Sequence, residues 1–360
     1  MKVGFHSPLP PAHTGVADYS AALLPALKAL GKVEIGADRA DVQLYHVANN
    51  VMHWEIYRRA LDRPGVVVLH DALLQHLFMG ALGEAAYVEE FAFNYGAWSR
   101  DLAADMWHNR ASSGLRPEYY RYPMLKRLAE RSLAVIVHNP AAARIVREHA
   151  PYTPIVEIPH LFAASPQPHP AEVQRSRPAP FVFAIFGYLR ESKRVMPVLR
   201  AFRRVHAART ETALLLAGEF VSSDLARAID PFLHAPGVYR IGYMTDAEFR
   251  RAVAMADVCV NLRYPTAGET SGITIRLMGA GKPVIVSNGE ETSRYPDTAC
   301  LRVDAGLAEE EMLGAYMLSL RTLPRLGMEI GRRAAEHIQH WHSIERVAGL
   351  YWQTLCGFRS

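Results

Sequence analysis

Short apolar runs along the chain alternate with longer stretches in which apolar residues recur every three or four positions. "KVGFH" (residues 2–6), "DVQLYHV" (41–47), "GVVVLH" (65–70) and "LAVIVHN" (133–139) read as buried strands with helical patterns between them. Runs that are apolar on both faces and separated by helices predict a parallel sheet covered on both sides. The first strand leads into a Pro-rich loop, "SPLPPAHTG", and then a helix, "YSAALLPALKAL", with Asp18 as its expected cap.

The stretch "ASPQPHPAEVQRSRPAP" (164–180) interrupts this pattern. It is polar, rich in proline and poor in large apolar residues, as a linker is. Beyond it the alternation restarts with "FVFAIFGY", "TALLLAGE", "GVYRIGY", "ADVCVNLRY" and "KPVIVSN" as strands. The segment "HIQHWHSIERVAGLYWQTL" (337–355) is amphipathic and predicts a closing helix. Two Rossmann-like α/β domains joined near residue 160 follow. Ligands of such sheets bind outside the carboxyl ends of the strands, so the site is expected in a cleft between two facing sheets.

The segment "YPTAGETSGITIRLMGAGKPVIVSN" (264–288) holds the densest chemistry. Its GAG followed by Lys282 suggests a phosphate loop, but Pro283 stands where that loop needs a hydroxyl and Arg276 where it needs a glycine. The strand also follows the glycines instead of preceding them. Gly279 and Gly281 read as helix-ending residues. Upstream, Glu269, Thr270, Ser271 and Gly272 lie behind a strand at the start of a helix. Free N–H groups and the helix dipole favour an anion there, and Glu269 can accept hydrogen bonds from sugar hydroxyls. Capping without a ligand is the alternative reading. The second half opens in the same way: Gly187 ends a strand, and Arg190, Lys193 and Arg194 follow before an amphipathic helix. Cations are poorly placed at a helix N-terminus, which favours a bound anion over a solvated basic turn.

In these segments the chain resembles the GT-B glycosyltransferases, in particular family 4. "SPLPPAHTGVADYSAALLPAL" resembles the glycine-containing loop after the family's first strand, and "VVVLHDALLQH" the strand whose following histidine faces the donor sugar. "GYLRESKRVMPVLRAF" resembles the glycine–lysine segment, and "GETSGITIRLMGAGKPVIVSN" the donor loop and helix. The resemblance implies an acceptor-side domain over 1–162, a donor domain over 163–343, and a C-terminal helix (344–360) crossing back to the first. It implies transfer of a sugar from a nucleotide diphosphate sugar to the hydroxyl of a glycan or lipid-linked acceptor, with retention and without a metal or other cofactor. Lys193, with Arg190, would meet the leaving diphosphate, and His70 and Asp71 the sugar or the acceptor. Gly15 and Gly187 would let the diphosphate approach the backbone. Two departures stand out. The family's second glutamate falls at Arg276, which can pair with Glu269, reach the diphosphate or turn to the surface. The arginine of the glycine–lysine segment is Tyr188 here. A catalytically silent nucleotide-sugar or glycan-binding protein is therefore the alternative, and a dinucleotide oxidoreductase lacks its fingerprint.

Composition narrows the picture a little. Half of the residues are hydrophobic and 21% charged, and the net charge is +4, short of a nucleic-acid signature, so no nucleic-acid partner is expected. Three widely spaced cysteines (Cys259, Cys300, Cys356) give no disulfide framework and fit a reducing compartment. No signal peptide or membrane span is read. The expectation is a cytoplasmic protein, with peripheral membrane contact left open. The mixed basic and aromatic stretch "RPEYYRYPMLKRL" (116–128) has a composition that can hold single-stranded nucleic acid, suits such membrane contact or a lipid-linked sugar, or is a helix-flanking surface with a few buried tyrosines. The histidines of "HIQHWH" lack a completing carboxylate or cysteine for a metal.

Overall fold

The computed structural model describes residues 1–12, 14–114, 116–164 and 180–358. The stretch read as a linker lies, apart from its two end residues, outside the described residues. Contacts divide the chain into two units. One holds Met1–Leu161, Pro265–Thr270 and Trp341–Ser360, and the other holds Phe162–Tyr264 and Ser271–His340.

The first unit begins with strands β1 (Lys2–His6), β2 (Lys32–Ile35), β3 (Val42–Val47), β4 (Val66–Leu69), β5 (Ala134–Val137) and β6 (Ile155–Glu157). Its helices are α1 (Gly15–Leu30), α2 (Trp54–Asp62), α3 (Gln75–Ala81), α4 (Glu84–Tyr95), α5 (Arg100–His108), α6 (Lys126–Arg131) and α7 (Pro140–His149). The sheet is parallel, in the order β2-β1-β3-β4-β5-β6, with Val3 opposite Val42 and Leu44 opposite Val66. "VVVL" in β4 is apolar throughout because both faces are covered. Val66 and Val68 pack into one core, and Val67 and Leu69 into the other.

Thr14, and not Asp18, caps α1: its hydroxyl accepts the Ala17 N–H, and Asp18 falls inside the first turn. Gly15 is thus the first helical residue, with open space on its Cβ side. In 116–128 the tyrosines serve the core. Tyr119 is fully buried with its hydroxyl on the Met106 carbonyl, and Tyr120 and Tyr122 pack behind it.

The second unit repeats the plan with β7 (Phe181–Phe186), β8 (Thr212–Ala217), β9 (Val238–Ile241), β10 (Val258–Asn261), β11 (Val284–Ser287) and β12 (Leu301–Val303). Its helices are α8 (Val195–Ala208), α9 (Ser223–Leu233), α10 (Asp246–Met255), α11 (Gly272–Gly279), α12 (Glu309–Thr322) and α13 (Pro324–Trp341). This parallel sheet runs β12-β11-β10-β7-β8-β9. Phe183 and Ile185 pack into one core, Ala184 and Phe186 into the other.

The closing segment is two helices, not one. α13 ends at Trp341, and α14 (Ile344–Gly357) starts after His342, whose Nδ1–H donates to the His160 carbonyl. α14 packs on α1 in the first unit, where the Tyr19 and Tyr351 hydroxyls are 2.9 Å apart. No described helix is long and apolar enough to cross a membrane.

Candidate functional site

In the second sheet the strand order switches at β7, which lies between β10 and β8. Open parallel sheets bind ligands at such a switch. Gly187 directly follows β7 and has φ +89°, a conformation suited to glycine. A Cβ there would lie 3.4 Å from Lys193 Nζ and 3.3 Å from Ile273. Lys193 follows in a short 3₁₀ turn, Glu191–Lys193, with its side chain folded back under the end of the sheet. It is buried, and its ammonium donates to the Phe186 carbonyl and, at 2.9 Å, to Asn261 Oδ1. None of these acceptors is a carboxylate. Burial holds its pKa well below the ordinary lysine value, with Arg263 and Arg190 adding repulsion.

Asn261, the last residue of β10, completes this arrangement. Its amide donates to Ser271 Oγ at 2.8 Å and to Thr274 Oγ1 at 2.5 Å. Ser271 is the N-cap of α11 and accepts the Thr274 N–H. One buried carboxamide thus links the Lys193 ammonium to the start of α11, where Gly272 is the first helical residue. Positive charge and free backbone N–H groups stand together at the switch point, a combination suited to a phosphate. Arg190 is exposed and acts on Lys193 through its charge. Arg194 has a different role: it adopts φ +56° and forms an ion pair with the buried Glu309 of α12.

Arg276 is committed elsewhere. Its guanidinium pairs with Asp246 of α10 and lies 4.0 Å from the centre of the Phe249 ring. α11 turns this residue toward α10. The GAG segment has a structural explanation too. α11 ends at Gly279, Gly281 takes φ +74°, and Lys282 Nζ donates to the carbonyls of Ala254 and Ala256 at the end of α10. The phosphate-loop lysine of the sequence is a helix-end cap.

In the first unit, histidines gather at the carboxyl ends of the strands. His46 is in β3, His70 and His138 directly follow β4 and β5, and His160 follows β6. The rings of His46, His70 and His138 are 5.2–5.3 Å apart in successive pairs, and Tyr19 meets His70 edge-on at 4.9 Å. Burial lowers every pKa in the group, to about 4 for His138 and about 3 for His160. The cluster is neutral. Among the described residues no group of three potential ligands is placed to hold a metal.

Asp71 Oδ2 accepts the Asn49 N–H at 2.8 Å, tying the loops after β3 and β4 together. The segment Pro265–Thr270 is anchored beside it. The Ala72 N–H donates to the Ala267 carbonyl at 2.7 Å, and Asn139 Nδ2 donates to Gly268 O and Thr270 Oγ1, both at 2.9 Å. Gly268 has φ +70°, and a Cβ there would meet Ala72 at 2.8 Å. Glu269 Oε2 accepts the Ala267 N–H and the Thr266 hydroxyl. The loop therefore sets Glu269 in the same unit as His70. The sequence reading missed both asparagines. Asn139 carries a readable signal, an N-cap before Pro140. Asn261 carries none beyond a polar residue ending an apolar strand.

The family model described as "Glycosyl transferases group 1" matches residues 180–311. Sucrose-phosphate synthase from Thermosynechococcus elongatus superposes with a TM-score of 0.66 at 15% identity, covering 99% of this chain and 100% of that one. Anabaena HepE in complex with UDP does so at 0.62 and 14%, over 99% and 100%. A mutant of S. aureus TarM, in complex with Fondaparinux, alpha-GlcNAc-glycerol and UDP, gives 0.55 and 17% over 68% of this chain, which spans 47% of that one. No curated protein matches in sequence. The fold is that of the GT-B glycosyltransferases. The stretch from β7 to the start of α12, which holds Lys193, Asn261 and α11, carries the group 1 pattern.

Proposed function

We propose that the protein transfers a sugar from a nucleotide diphosphate sugar, with UDP as the nucleotide, to an acceptor hydroxyl. The observation that carries this reading is the buried Lys193 ammonium, held by Asn261 at the start of α11 without a carboxylate. Burying an ammonium is costly, and a leaving diphosphate is the counter-charge this geometry suits. UDP is favoured because HepE and TarM were solved with it.

In the proposed step the bond from the sugar C1 to the diphosphate oxygen breaks, and the acceptor oxygen bonds to C1. The acceptor proton passes to the departing phosphate oxygen. Lys193, Arg190 and the N–H groups opening α11 stabilise the leaving charge. His70 and Glu269 contact sugar hydroxyls. Retention follows the family resemblance. No metal is invoked, since fixed cations meet the diphosphate. The acceptor is a glycan hydroxyl, free or lipid-linked, in the cytoplasm or at the inner face of its membrane. The silent-binding alternative draws on Arg276, which puts no carboxylate at the family's ribose position.

A thermal-shift panel of UDP, GDP, dTDP and their sugars tests this. A ligand at 100 times its Kd stabilises by about 2.7 kcal/mol, and UDP and a UDP-sugar should do so. NMR of the product should show the donor's anomeric configuration kept. Silence across the panel overturns the proposal, and stabilisation without transfer to any glycan favours the silent reading.

A further inference from the structure

In the imidazole cluster of the first unit, hydrogen bonds fix the tautomers of several rings, His70 among them. Two of its histidines and two beside it donate Nδ1–H to backbone carbonyls: His138 to Ile158 O and His160 to Leu161 O, His53 to His46 O and His342 to His160 O. A carbonyl only accepts, so each of these rings carries its proton on Nδ1. One contact joins two rings directly, His46 Nδ1 to His70 Nε2 at 3.0 Å. Either ring can be the donor there, and the far nitrogens decide which.

His46 is fully buried, and its Nε2 has no hydrogen-bond partner. If His70 donated, His46 would carry its proton on Nε2, a buried N–H with no acceptor, which is rarer and more costly than a bare acceptor. If His46 donates, its Nε2 is a bare lone pair on a ring that packs against Phe5, Tyr19 and Tyr351. His70 then accepts at Nε2 and carries its own proton on Nδ1. Both rings are neutral, because burial and the neighbouring imidazoles hold them well below the usual histidine range.

We infer that His46 is a positioning residue: its Nδ1–H fixes His70 in the Nδ1–H tautomer, so that His70 offers a ligand a hydrogen-bond donor and not a base. The tautomer stands apart from the proposed function; that the recipient is a sugar oxygen rests on it.

The test is long-range proton–nitrogen correlation NMR on ligand-free protein with labelled histidines, the His70 signals being assigned by their loss in His70→Gln. At neutral pH His70 should show a protonated, pyrrole-type Nδ1 and a bare, pyridine-type Nε2. The reverse pattern overturns the inference. His46→Phe removes the donor and should move the His70 proton toward Nε2, with about a tenfold loss of kcat/KM. His46→Asn, whose amide N–H can lie where Nδ1–H lay, should restore both. A folded His46→Phe protein with an unchanged His70 spectrum also overturns it. If that variant does not fold, the wild-type spectrum and His46→Asn decide. The expected spectrum with a silent donor panel leaves the tautomer standing and removes only the proposed function.

Discussion

The two sheets share strand number, parallel pairing and apolar cores on both faces, yet their carboxyl ends are chemically opposed. The first gathers imidazoles that burial keeps neutral. The second buries an ammonium and surrounds it with arginine charge. One architecture thus carries an uncharged, hydrogen-bonding end and a cationic one, and the residues following the strands make the difference. Neutral donors and acceptors suit hydroxyls, and a desolvated cation suits a phosphate.

The largest test of this contrast removes the cation. Lys193→Met keeps an apolar stem of similar length, so transfer should fall about a hundredfold or more while the melting temperature holds or rises. An unchanged rate would end the comparison and turn attention to Arg190.

Acid should act on the neutral end. A histidine whose folded pKa lies below the unfolded 6.5 is protonated first in the unfolded chain. Its neutral burial therefore favours folding fully above pH 6.5, and this contribution is lost as pH falls toward about 4. At about pH 5, His138 alone should cost roughly 2 kcal/mol. Urea unfolding at neutral and mildly acid pH measures it, and equal stabilities would mean the cluster is solvated.

Asn261→Leu cuts the link between Lys193 and α11. Unpaired buried groups should cost about 1–2 kcal/mol, and UDP affinity should drop about tenfold, seen by chemical denaturation and calorimetry. A loss of stability with unchanged UDP affinity would confine Asn261 to the fold. The smallest effect is expected of Arg276→Glu, which sets two carboxylates together at Asp246. Stability should fall by about 1 kcal/mol or less, and UDP affinity should stay within about twofold. A larger affinity change in the titration would restore Arg276 to the donor site.

Much of this was legible in the sequence. The long apolar runs located the central strands because both faces are buried. The edge strands β2, β6 and β12 escaped notice: they are three or four residues long, and "KVEI", "IVE" and "LRV" carry charges at positions that are not buried. Lys193 and the α11 cap were found because a cation and a cap in unusual places are local signals. Arg276–Asp246, Lys282 on α10 and the His46–His70 contact depend on packing between distant segments, which spacing does not show. Asp18 reads as the cap because Thr14 sits in a proline-rich loop that itself reads as irregular.

The buried ammonium at the end of β7 has a further consequence, for the protein's proton inventory. Desolvation makes Lys193 a reluctant holder of its proton. A diphosphate arriving beside it strengthens that hold, so nucleotide capture should take up protons from the buffer and not release them. Heats of UDP binding measured in two buffers should then differ in proportion to the buffers' ionisation enthalpies, and affinity should weaken as pH rises. Equal heats would mean that Lys193 is already fully charged before the nucleotide arrives.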